Sequence, residues 1–195
     1  MSSNISNKSY LTLQDMLAGG TEASVTTIEW GLSEMLRSPE TFKIAAEELD
    51  KIIGRERWVE EKDIQYLPYI EALSKEILRL HPVGPLLEPH MASQDCKVSG
   101  YDILKGTTVL INAWAISRDP EVWSDPNEFR PERFTSADID IKGSDFRILP
   151  FGLGRRKCPG YNLGLKLIQL NLANLLHGKV PLIVVAEPRL PSHLY

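Results

Sequence analysis

Residues 151–160, FGLGRRKCPG, decide how this chain is read. The stretch carries Cys158, one of 2 cysteines in the protein, behind three consecutive cations, Arg155, Arg156 and Lys157. Glycines stand at 152, 154 and 160, and Pro159-Gly160 opens onto an apolar run, YNLGLKLIQLNLANLLH, at 161–177. That run is hydrophobic nearly all round and reads as a helix buried in a larger core. A cysteine just ahead of a helix N-terminus faces unpaired backbone N–H groups and the positive end of the dipole, which favour an anionic sulfur. The three cations act in the same direction. Glycines at 152, 154 and 160 remove side chains, so a flat or bulky group can approach the backbone closely. All of this suits a thiolate metal ligand. The plainer reading is a small buried cysteine beside a solvated cationic loop.

Two rival uses of such a loop fail on its own letters. Lys157 sits where a dinucleotide fingerprint needs its third glycine, and no Gly-Lys-Ser/Thr follows for a phosphate loop. Zinc would need a second Cys or His at ligand spacing from Cys158, and there is none.

The rest of the composition sets outer limits. With 195 residues, 43% hydrophobic and 25% charged, the chain can bury a core like an ordinary globular protein. A net charge of -4 argues against a general nucleic-acid binder. Two cysteines are too few for a disulfide scaffold, which points to a reducing compartment. No stretch approaches the roughly 20 apolar residues of a membrane span. The polar opening, MSSNISNKSYLTLQDM, lacks the charged start and apolar centre of a signal peptide, so a soluble chain is expected.

Upstream of the cysteine, hydrophobic period changes along the chain. Val25, Ile28, Leu32, Met35 and Leu36 recur at helical spacing, predicting one long helix over about 11–37 that closes before Pro39. AGGTEAS, 18–24, is its weak point, because paired glycines are costly inside a helix and such places kink. A second helix starts at Pro39 and stops at Gly54. A third, about 67–80, carries Leu67, Ile70, Leu73, Ile77 and Leu80 on one face and ends at His81-Pro82. CKVSGYDILKGTTVLINAW then alternates β-prone runs with Ser-Gly and Lys-Gly turns, predicting a small antiparallel sheet. The proline-rich SRDPEVWSDPNEFRPERF reads as an ordered but irregular loop. The fold class is mainly α with a small antiparallel sheet.

Glu76 and Arg79 in KEILRLHP lie one helical turn apart and can pair, which alone is a common surface feature. FRPERF supplies Arg133, which could join them if the loop folds back; a buried cluster of that kind sets loop geometry more than net stability. Glu22, Thr21 and Ser24 offer an acid and two hydroxyls beside the glycine pair, or else merely flank a close packing point.

Taken in order, these pieces resemble the C-terminal part of a cytochrome P450 monooxygenase of the plant microsomal type. FGLGRRKCPG fits the family's haem loop, Phe-x-x-Gly-x-Arg-x-Cys-x-Gly, at every fixed position; KEILRLHP and FRPERF match its Glu-x-x-Arg helix and the loop that completes the triad. The resemblance covers nearly the whole of 1–195 and implies haem b with Cys158 as the axial thiolate, whose electron donation favours O–O cleavage. It implies that Arg156 pairs with a haem propionate, with His90 at the place of a second partner. Phe151, Gly152, Gly154 and Gly160 would form the loop against the cofactor, and Glu76, Arg79 and Arg133 a structural triad. Gly20 would make room for dioxygen, with Thr21, Glu22 and Ser24 as the proton-delivering group. The family pattern has an alcohol at the position of Ala23, so Ser24 would have to act through a water, and otherwise peroxide would be released in place of product. Val83, Leu86 and Leu87 would line the substrate pocket, and Cys96 matches nothing functional.

The activity so implied is hydroxylation of a lipophilic plant specialised metabolite with dioxygen and electrons from NADPH, passed on by NADPH-cytochrome P450 reductase. The full-length family resides on the cytoplasmic face of the endoplasmic reticulum membrane; without an anchor, this chain is expected in the cytosol. The family's chains are much longer, and after LANLLHG they carry a segment that VPLIVVAEPRLPSHLY here replaces at once. The competing expectation is therefore a catalytically inactive fragment that binds haem weakly or not at all.

Overall fold

The computed structural model describes residues 2–137 and 139–177, with side chains from residue 14 onward. The closing VPLIVVAEPRLPSHLY segment lies outside the described residues.

Helix α1 spans Ser2–Arg37, so helix begins well before residue 11. It also runs unbroken through the glycine pair. There Thr21 Oγ1 donates to the Leu17 carbonyl at 2.7 Å and Ser24 Oγ to the Gly20 carbonyl at 3.4 Å. Back-bonding of this kind lets hydroxyl residues ride inside a helix at some cost in regularity. α2, Pro39–Ile52, has Pro39 in its first turn, and Gly54 just beyond it takes φ 75°. A short 3-10 turn, Glu61–Tyr66, leads into α3, Pro68–Leu80.

The start of α3 is capped from another helix. Glu48 of α2 accepts the Tyr69 N–H at 2.8 Å and the Ile70 N–H at 3.1 Å, two donors that have no partner inside the helix. Burial pushes the Glu48 carboxyl up, and these two bonds oppose the shift. α3 is buried on nearly every side, polar residues included: Leu73, Ile77, Glu76 and Arg79 are all 0% exposed. Full burial of each such aliphatic side chain contributes about 1.5–3 kcal/mol.

α1 crosses α3 and the last described helix, α5 (Tyr161–His177), at Gly31. A Cβ there would lie 2.6 Å from Ile77 Cδ1 and 3.2 Å from Leu172 Cδ2, so a side chain at this crossing would have to push those side chains aside. α5 is only partly enclosed among the described residues. Ile168, Leu172 and Ala173 are buried, but Leu163 is 65% exposed, which corrects the expectation of a helix buried all round. Apolarity on every face marks surface to be covered without saying which neighbour covers it.

The strands form two small antiparallel sheets. β2 (Cys96–Val98) and β3 (Tyr101–Ile103) make a hairpin around Ser99-Gly100, whose positive φ values of 49° and 88° suit a two-residue turn. β1 (His90–Met91) pairs with β4 (Thr108–Val109), His90 opposite Val109. α4, Ala113–Ile116, follows, its first turn capped by Asn112 Oδ1 accepting from the Ala115 N–H at 2.9 Å. The proline-rich segment includes a 3-10 turn at Pro131–Phe134.

Candidate functional site

Three segments meet around Cys158: the loop 151–160, the stretch 83–91 after α3, and the start of α5. Within the loop, Leu149 O accepts the Gly152 N–H at 3.1 Å, Phe151 O the Cys158 N–H at 2.9 Å and Gly154 O the Lys157 N–H at 3.2 Å. Gly152 and Gly154 adopt φ 64° and 71°, the left-handed region that side chains resist. Gly154–Arg156 forms one 3-10 turn, and Cys158 is half-buried, shortly before α5 begins. Gly160 lies against the sulfur; a Cβ there would be 4.0 Å from Cys158 Sγ. Phe151 tilts against Tyr161, ring centroids 6.3 Å apart, while Lys157 Nζ sits 3.5 Å from the Tyr161 ring centroid.

Arg156 joins this loop to the second segment: its Nη1 donates to the Pro89 carbonyl at 3.3 Å, next to His90. The same segment is fixed to the β4–α4 strip by Ile111 N donating to Leu86 O at 3.2 Å and Trp114 N to Pro85 O at 3.1 Å. Leu87 adopts φ 50°, uncommon for a branched side chain, and its Cδ1 faces Gly152, 3.9 Å from where a Cβ would stand. Val83 and Leu86 are each 43% exposed. The loop thus offers a thiol, a guanidinium and an imidazole beside exposed apolar side chains.

Behind it lies the buried ion cluster. Glu76 Oε2 accepts Arg79 Nε at 2.7 Å; Oε1 accepts Arg79 Nη2 at 2.9 Å, Arg133 Nε at 3.1 Å and the backbone N–H of Arg130 at 2.8 Å. The other donors of Arg79 go to the carbonyls of Ser117 at 2.8 Å, Pro126 at 2.7 Å and Glu128 at 3.1 Å. Every N–H of the guanidinium is therefore used. Arg133 in turn donates to the carbonyls of Ser124, Asp125 and Glu128. Trp123 packs against both, with Arg79 and Arg133 Cζ at 5.2 Å and 5.9 Å from its ring, and its own N–H reaches Arg147 O at 3.3 Å. Arg130 and Trp123 were not singled out by sequence; the aromatic inside DPEVW was the available signal.

Gly20, Thr21, Glu22 and Ser24 stand apart from these segments. Gly20, Thr21 and Glu22 are exposed, and a Cβ on Gly20 would meet nothing within 4 Å. Both hydroxyls return to carbonyls of α1, as described above. Cys96 is exposed on β2. A cleft of about 890 Å³ lies elsewhere, bounded by residues that include Lys75, Ile141, Lys166 and Gln169. Lys75 and Lys166 there are already paired with Glu71 and Glu61, and among the described residues no Ser, Thr, Cys or His lines the cleft.

The donor set around Cys158 fits haem. Among the described residues no three His, Cys, Asp or Glu side chains converge as a metal site, so an ion on this sulfur must bring its other ligands with it. A porphyrin does so, and its apolar plane and anionic rim match the exposed leucine and valine and the two basic groups.

Comparison with known proteins agrees. Residues 7–178 match the family profile described as Cytochrome P450. The chain is 49% identical to trimethyltridecatetraene synthase of Zea mays, over 94% of this chain and 39% of that protein. It is 47% identical to flavonoid 3'-monooxygenase of Petunia hybrida, over 85% and 33% respectively. A zebrafish cytochrome P450 solved with abiraterone superposes with TM-score 0.76 at 35% identity, covering 84% of this chain and 37% of that one. The chain thus spans about two fifths of the length of the curated relatives it matches. With the family profile matched over most of its length and the fold shared at TM-score 0.76, the chain belongs to the cytochrome P450 family, a family of oxidoreductases.

Proposed function

We propose that the whole protein is a haem-thiolate monooxygenase acting on a lipophilic small molecule, with Cys158 as the iron ligand. The observation that carries this reading is the Cys158 loop: a half-buried sulfur, its residue held by its own N–H on Phe151 O at 2.9 Å, with Gly160 beside the sulfur. Haem, when bound, supplies the dioxygen chemistry, and a thiolate ligand favours O–O cleavage. The chain's residues supply position and charge. Arg156 and His90 would hold the propionates of the haem. Val83, Leu86 and Leu87 would line the substrate pocket, which suits an apolar substrate. Glu22, with Thr21 and Ser24, would be the proton-delivering group.

Relatives named as a flavonoid 3'-monooxygenase, a trimethyltridecatetraene synthase and a dimethylnonatriene synthase support a plant specialised metabolite as substrate. The full protein then takes electrons from NADPH through the reductase at the endoplasmic reticulum surface. No helix among the described residues is long and apolar enough to cross a membrane. Ala23, a methyl where the family has an alcohol, favours a second reading in which turnover is poor and peroxide escapes.

The test is the carbon monoxide difference spectrum of the reduced, haemin-reconstituted protein beside Cys158→Ser. A strongly red-shifted Soret band that disappears in the variant is expected. Haem retained without that band, or a band indifferent to the substitution, would refute Cys158 as the ligand. Peroxide released per NADPH consumed separates the two readings.

A further inference from the structure

We propose that Gly143 is a positioning residue for Cys158, acting through a backbone contact that any side chain would spoil. The proposal rests on the reading of Cys158 as the iron ligand.

Gly143 adopts φ 95°, and a Cβ built on it would lie 3.1 Å from the carbonyl oxygen of Gly152, 3.6 Å from Lys157 Cδ and 3.8 Å from Leu153 Cα. The first of these contacts is tighter than ordinary packing, and its partner is backbone, which cannot rotate away. Gly152 follows Phe151, whose own carbonyl holds the Cys158 N–H. Displacing the 152 carbonyl therefore disturbs the peptide unit next to the one that orients the cysteine.

The turn that carries Gly143 cannot easily yield instead. Asp140 accepts the Lys142 N–H at 2.8 Å and the Ser144 hydroxyl, and Asp145 accepts the Arg147 N–H at 3.0 Å. These bonds, that of Ser144 foremost, hold the Asp140 carboxyl below the usual carboxylate range. Ile141 and Ile148, both 1% exposed, anchor the two ends in the core.

Gly106 is a natural control, with φ 86° and nothing within 4 Å of a Cβ, so alanine there carries the same backbone strain without the contact. Gly143→Ala and Gly106→Ala would be compared by hydrogen exchange at the Cys158 amide in the haem-free protein and by the carbon monoxide difference spectrum after reconstitution. Exchange is expected to accelerate by about tenfold or more in Gly143→Ala alone, as for a local opening cheaper by a factor of ten. The red-shifted band is expected to shrink at equal haem content, again in that variant alone. Equal behaviour of the two variants would overturn the proposal. Accelerated exchange beside a parent protein that never shows the red-shifted band would leave loop positioning supported and remove the ligand reading. Native-state exchange of the parent needs no variant: the amides of Ser144 and Cys158 are expected to open as one unit with the same denaturant dependence, and independent opening would overturn the coupling.

Discussion

Glu76→Gln removes a charge and changes no packing volume, so it isolates the electrostatics of the buried triad. Both partners, Glu76 and Arg79, are 0% exposed, and the Glu76 carboxylate accepts four N–H groups. Three of them converge on Oε1, so the least damaging orientation of a glutamine puts its NH₂ at the Oε2 position. There it would face Arg79 Nε–H at 2.7 Å, donor against donor. One hydrogen bond is lost, and two guanidinium groups lose their counter-charge in the core. Breaking a buried ion pair by removing one partner typically costs about 3–5 kcal/mol. In a domain of this size 1 kcal/mol lowers Tm by roughly 2–4 °C, so a drop of about 10 °C is expected. Guanidinium unfolding followed by circular dichroism would show the midpoint falling at unchanged slope. A loss under about 1 kcal/mol, the net worth of a single neutral hydrogen bond, would refute the placement of Glu76 as an ionised, enclosed hub.

Other sites make separable predictions. The Arg57 guanidinium beside Asp63 holds its carboxyl down at about 2, against an ordinary 3.8. A depressed folded value means that the stabilisation is complete above about pH 4 and is lost as pH falls toward 2, so Asp63→Asn is expected to flatten stability over that window in acid titrations. Asn174 clamps Val59, accepting its N–H at 3.0 Å and donating to its carbonyl at 3.1 Å; Asn174→Ala is expected to cost about 1–3 kcal/mol in urea unfolding. Gly31→Val is expected to destabilise by about 1–3 kcal/mol through overpacking against Ile77 and Leu172. Gly19→Ala, where a Cβ meets nothing within 4 Å, is expected to stabilise α1 by about 0.5–1 kcal/mol, an opposite sign that thermal melts would resolve.

Much of this molecule is written locally. The period of Leu67, Ile70, Leu73, Ile77 and Leu80 specifies a helix, Ser99-Gly100 specifies a hairpin turn, and the spacing of Phe151, Gly154, Arg156, Cys158 and Gly160 specifies the loop, because each depends on neighbours a few residues away. Enclosure is a different matter. Glu76 and Arg79 could have been an exposed pair on an amphipathic helix; they are buried because the segment from Ser117 to Arg133 folds over them and turns its carbonyls inward. Likewise α5 looks equally apolar on all faces in sequence, yet Leu172 is buried and Leu163 is not.

Sequence by itself determined helices α2, α3 and α5 and the hairpin, since backbone propensity and side-chain spacing are short-range properties. Only the tertiary structure decided that Arg133 and the Arg130 backbone complete the Glu76 cluster, that Gly31 is where α1 crosses, and that Gly143 touches the Gly152 carbonyl. Those contacts join residues far apart along the chain, and which distant atoms share a buried volume is set by how whole elements pack.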